Sequence, residues 1–136
     1  MHQLSSFLLI TVVGIASAQA APTLSAAIGQ SIVLGQYHET QYHPASKQCT
    51  VLQAPAIVIT ERPKHGRISL QRTEADISDP RCPGVRGPVI ALVYQAQQSH
   101  APYDRVTWNV VYQTGQQGTQ THSVQIAIQP AKRATD

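Results

Sequence analysis

From Ser31 to Ile128 the apolar positions come in short runs separated by turn-forming residues. Val106, Trp108, Val110 and Tyr112 alternate with Thr107, Asn109 and Val111. A two-residue period places the first set on one face of a half-buried strand, with Trp108 as its core anchor. Val124, Ile126 and Ile128 repeat the alternation in a last strand that ends at Pro130, and Thr114 to Gly118 between the two predicts a hairpin loop. Val89 to Tyr94 is the most apolar run and predicts a central strand. Ala56 to Thr60 and Arg67 to Arg72 flank the turn Pro63-Lys64-His65-Gly66 and are expected to pair as a hairpin, with Ile68 and Leu70 on one face. Ser31 to Leu34 and Cys49 to Leu52 are two further short strands, Asp76 to Gly87 a loop and Gln95 to Tyr103 a polar connection. Nine Pro and eight Gly leave few stretches long enough for a helix. The pattern therefore predicts an all-β fold, an antiparallel sandwich of about seven short strands.

The first twenty residues obey a different plan. Phe7 to Ala16 is apolar except for Thr11 and Gly14, and Ser17-Ala18-Gln19-Ala20 comes next with small residues where a signal peptidase reads them. A short apolar run ahead of a small-residue site is the layout of a secretory signal peptide, although no Lys or Arg precedes it. The run is about half the roughly 20 apolar residues a membrane span requires. The expected organisation is a signal peptide over 1–20, one sandwich domain over 21–130 and a disordered tail over 131–136, with no membrane span in the mature chain. Ala21-Pro22 directly after the run argues against a continuing N-terminal helix.

All ten Lys and Arg and all seven Asp and Glu lie after Ala20, so the mature chain keeps the net charge of +3. That balance can favour anionic surfaces. It is too small and too scattered to argue for nucleic acid. Seventeen glutamines against 12% charged residues suit the uncharged polar faces of an exported β protein. Cys49 and Cys82 are the two cysteines. An even pair in an oxidising compartment predicts a disulfide. Trp108 comes after both cysteines rather than lying between them, so the bridge is not the inter-sheet one of antibody domains. It is expected to tie the Cys82 loop back to an early strand.

The order Pro63-Lys64-His65-Gly66-Arg67-Ile68, then Leu92-Val93-Tyr94, then Asp104-Arg105-Val106-Thr107-Trp108-Asn109-Val110, and finally Val124 to Ile128 resembles bacterial immunoglobulin-like and cadherin-like domains. The resemblance spans residues 56–129. Pro102 stands where those repeats usually have Gly and Val106 where they have Phe, and the chain holds one copy. The chain is also similar to small single-domain periplasmic proteins with two cysteines. The resemblance implies an immunoglobulin-like sandwich and a periplasmic or secreted location. Asp104 is expected to have a structural role in the turn before its strand.

Three constellations bear on chemistry. Tyr37-His38-Glu39-Thr40-Gln41-Tyr42-His43 holds two imidazoles, ligands suited to Zn or Cu. In an extended chain His38 and His43 point to opposite faces, so a site needs a loop and a third ligand such as Glu39, His100 or His122. Glu74, Asp76 and Asp79 cluster without the spacing of a calcium loop. No Gly-x-Ser-x-Gly elbow occurs, and bridged cysteines cannot act as nucleophiles. Arg62, Lys64, His65 and Arg67 form a basic turn fit to meet a protein partner or an anionic envelope component. The expected function is an exported, non-enzymatic binding or structural module of the cell envelope, with no cofactor. The alternative is a periplasmic Zn- or Cu-binding protein using His38 and His43.

Overall fold

The computed structural model describes residues 21–115 and 117–131, so the expected signal peptide and all of the expected tail but Ala131 lie outside the described residues. Among the described residues nine strands run in the order β1 (Thr23–Ala27), β2 (Ser31–Tyr37), β3 (Thr40–His43), β4 (Gln48–Val51), β5 (Ala56–Glu61), β6 (Gly66–Asp76), β7 (Arg86–Ala96), β8 (Tyr103–Val111) and β9 (Thr119–Gln129). They form a four-stranded sheet β1-β9-β8-β5, a three-stranded sheet β2-β7-β6 and the hairpin β3-β4. The two larger sheets make an all-β sandwich of immunoglobulin-like type, antiparallel except where β1 runs parallel to β9. Among the described residues no helix is long and apolar enough to cross a membrane.

The alternating residues of the sequence line the space between the sheets. Val106, Trp108 and Val110 of β8, Val124 and Ile126 of β9, Leu92, Tyr94 and Ala96 of β7 and Ala26 of β1 form one buried cluster. Trp108 is 1% exposed; its Nε1–H donates to the Tyr37 hydroxyl at 3.1 Å and its ring stacks on His122. Strand β7 is paired on both edges, by β2 and β6, which places its apolar run at the centre of its sheet as the pattern predicted.

The expected loop Asp76 to Gly87 is shorter, since β6 runs through Asp76 and β7 begins at Arg86, and the structure differs from the sequence pattern in two further ways. First, β1 and β3 were not predicted, because Thr-Leu-Ser-Ala-Ala and Thr-Gln-Tyr-His lack the apolar alternation that marks a strand. Second, the runs Ala56–Thr60 and Arg67–Arg72 do not pair as a hairpin. β5 pairs with β8 and β6 with β7, so the short connection crosses from one sheet to the other. Asp104 holds that crossing. The residue is 6% exposed, and its carboxylate accepts the backbone N–H groups of Lys64 at 2.9 Å and His65 at 3.0 Å, its own neighbour Arg105 at 2.9 Å, and the Tyr94 hydroxyl at 2.8 Å. Asp104 is thus structural, as expected, but the turn it pins to the start of β8 is the one between β5 and β6. Gly66 comes next, in close contact with the Tyr94 ring, where any side chain would collide. Burial, then the hydrogen bond to Asp104 and its charge, push the Tyr94 hydroxyl's pKa well above the usual phenol value.

Cys49 of β4 and Cys82 of the loop between β6 and β7 are joined by a disulfide, the link from loop to early strand that the sequence implied. The bond holds the β3-β4 hairpin over the start of β7, where Val51 packs directly on Gly87.

Glu39, between β2 and β3, is 1% exposed. Its carboxylate accepts the N–H groups of Gln113 at 2.8 Å and Thr114 at 2.7 Å, capping the turn after β8, while its carbonyl accepts Leu52 N–H at 3.1 Å. Burial pushes the carboxyl pKa up, but the bonds from Gln113 and Thr114 outweigh it and hold the group below its ordinary 4.5. A depressed folded-state value contributes stability that is present above the unfolded value and lost as pH falls through the folded one. Glu39→Gln is therefore expected to lower stability at neutral pH and to flatten the loss of stability below pH 4.5. Urea midpoints measured from pH 6 down to about pH 3 check this, and an unchanged acid slope in the variant would remove Glu39 from the explanation.

Candidate anion-binding cleft

The turn that Asp104 pins carries Arg62 and Lys64 to the mouth of a cleft of about 670 Å³, lined also by Ala21, Glu61, His65, Tyr103, Asp104, Arg105 and Gln125. A local irregularity of β5 shapes one wall. The register shifts between Ile59 and Glu61, so that Ile59 faces Trp108 but Glu61 sits opposite Thr107. Thr60 is the extra residue of a bulge, which reverses the facing of the residues after it. Without it Glu61 would continue the inward phase of Ile57 and Ile59; with it, Glu61 reaches the outer surface. There it accepts from the Thr107 hydroxyl at 3.1 Å and pairs with the Arg105 guanidinium at 3.2 Å.

Asp104 is committed to backbone amides and the Tyr94 hydroxyl, and the Glu61–Arg105 pair is more than half exposed on both sides. Such a pair contributes only about 0–1 kcal/mol, so Arg105 is readily turned toward an incoming anion. Arg62 and Lys64 make no ion pair among the described residues. Tyr103, 53% exposed at the start of β8, adds an uncovered aromatic ring to the rim. His65 Nδ1 lies 3.1 Å from the Ser99 hydroxyl, which steadies the ring beside the turn. The cleft thus offers three cations and one weakly held carboxylate, with an aromatic rim, in a volume within the usual range of small-ligand sites.

Three of the four residues expected to bind a partner, Arg62, Lys64 and His65, meet here. Arg67 lies exposed one residue into β6, paired with Gln95, and is not in the cleft lining. Tyr103, Arg105 and Glu61 were not singled out from the sequence. Arg105 has one usable signal: it alternates outward in the strand whose inward positions are Val106 and Trp108's row.

The other candidates stand apart. His43 Nε2 lies 2.8 Å from the Thr50 hydroxyl inside the β3-β4 hairpin. His38 lies beyond the end of β2, with Nδ1 buried and without a hydrogen-bond partner. Of the possible third ligands, Glu39 is occupied by backbone amides, His122 stacks on Trp108 and His100 sits in the connection before β8. Among the described residues no group of three or more His, Cys, Asp or Glu is placed to hold a metal ion. Asp79 is bound by Arg81, whose guanidinium and backbone N–H hold its carboxyl below the usual range, and Asp76 pairs with Arg86.

No family model, curated protein or solved structure matches the chain.

Proposed function

We propose that the chain is an exported, non-enzymatic binding module of the cell envelope, acting in the periplasm or outside the cell, and that it holds an anionic envelope component in the cleft at Arg62, Lys64 and Arg105. The observation that carries this reading is the convergence of those three cations around one concave site, two from the β5-β6 turn and one from β8. The disulfide and the leader-like first twenty residues support an oxidising compartment. The similarity to bacterial immunoglobulin-like and cadherin-like domains supports the same setting. Both buried carboxylates among the described residues, Glu39 and Asp104, are saturated by backbone amides and hydroxyls, and the cysteines are bridged. Neither pair is free to act as base or nucleophile, which supports a binding rather than a catalytic role.

The test is calorimetric titration of the mature protein with pyrophosphate, a compact polyanion, at low ionic strength. Saturable one-site binding is expected. The double variant Arg62→Ala/Lys64→Ala should weaken it about tenfold, and raising the salt past roughly 0.1 M should weaken it further, since exposed charges are screened beyond about 10 Å there. Arg72→Ala, on β6 outside the cleft, is the control. Absence of saturable binding, or an equal loss in Arg72→Ala, would reduce the cleft to ordinary surface charge.

A further inference from the structure

Ala21 forms part of the wall of the basic cleft. It also borders a second cleft of about 470 Å³, lined by Tyr37, Trp108 and His122, so it stands on the ridge between the two. Its position is set by the next residue. The Pro22 carbonyl accepts the Gln125 N–H at 3.0 Å, and Thr23 then opens the parallel pairing of β1 with β9 opposite Gln125. A residue held one step from a paired strand has little freedom to leave the site.

The chemistry at this position depends on what is bonded to the Ala21 nitrogen. In an uncut chain it is a neutral amide. Hydrolysis of the Ala20–Ala21 peptide bond adds water across it. The hydroxyl goes to the Ala20 carbonyl carbon, the amine leaves on Ala21, and at neutral pH the released proton resides on that amine. A neutral amide with a chain attached is replaced by a free ammonium group.

We propose that this new amino terminus completes the anion site: the α-ammonium of Ala21 joins Arg62, Lys64 and Arg105 as a fourth cation, and the leader-bearing chain is the weaker binder. The inference rests on the binding function proposed above and on cleavage after Ala20. Processing then adds charge to the wall of the cleft. Export and competence to bind are coupled without any change of fold.

The experiment compares three forms in the same pyrophosphate titration. The first is the mature protein, made with its own leader, its start at Ala21 verified by mass. The second is Ala21→Gln made the same way, whose terminal glutamine cyclises to a neutral lactam with loss of ammonia, visible by mass. The third carries one glycine inserted before Ala21, which keeps the ammonium but displaces it by about 3.8 Å. The lactam form should bind about 5-fold more weakly, in line with one exposed charge–charge contact of roughly 1 kcal/mol. The glycine-extended form should also bind more weakly, and all three should melt together. A lactam form that binds as tightly as the mature protein overturns the role of the terminus and leaves the cleft intact. A mature protein that starts at Ala21 and does not bind, or binds without loss in Arg62→Ala/Lys64→Ala, overturns the cleft and this inference together. A chain that begins elsewhere than Ala21 overturns the inference alone.

Discussion

Trp108→Ala lowers the stability of the sandwich by about 3–5 kcal/mol, the expected range for removing a fully buried large aromatic. Three contacts make the site hard to refill. The indole lies between the sheets against the valine and isoleucine rows of β8 and β9, it stacks on His122 at 5.7 Å, and its N–H is satisfied by Tyr37 across the gap. Truncation removes the filling and leaves the Tyr37 hydroxyl short of a donor. Because Trp108 is the only tryptophan, urea unfolding should be monitored by circular dichroism rather than fluorescence. Trp108→Phe separates the contributions. It keeps most of the ring and loses the hydrogen bond, and should cost less than half as much. A cost for Trp108→Ala near zero would show that the core closes over the gap, and would deny Trp108 its place as anchor.

Cys49→Ser is expected to cost about 4 kcal/mol, within the 2–5 kcal/mol seen on removing a native bridge from a small domain. The bridge spans a sequence separation of 33, and closing a loop of that size restricts the unfolded chain more than the folded one. There is also a local effect. The β3-β4 hairpin meets the sandwich through Val51 on Gly87 and meets the loop between β6 and β7 through Arg81 over the Tyr42 ring, so the disulfide is its covalent tether to that loop. Amide exchange in the variant should therefore rise first over Thr40–Val51, ahead of β7 and β8. Coincident melts with and without reductant would show that the bridge contributes nothing to stability.

Strands β7, β8 and β9 were legible in the sequence because their alternation or apolar run is strong and each has one partner next to it in sequence, as the β8-β9 hairpin shows. The partner of β5 was not, because pairing depends on where the turn after it is anchored. The anchor, Asp104, lies 40 residues from Lys64. Periodicity has no access to a hydrogen bond of that separation. The same limit applies to the cleft. Arg62, Lys64 and His65 are neighbours in sequence and could be found together; Arg105 and Tyr103 join them only because Asp104 brings the start of β8 to the turn. Glu39 read as a possible metal ligand from its flanking histidines. Its actual partners, the amides of Gln113 and Thr114, are 74 and 75 residues away.

The parallel pairing of β1 with β9 joins Thr23 to Gln125, close to the two ends of the described chain. A polypeptide made amino end first delivers β1 before any of its pairing partners exists. Strand β1 must wait, unpaired, through the emergence of seven others, and the four-stranded sheet is complete only when β9 arrives. Long-range pairing of this kind makes folding slow. Under the export proposed above, that delay would be useful: the topology itself postpones completion of the fold until the last strand is through.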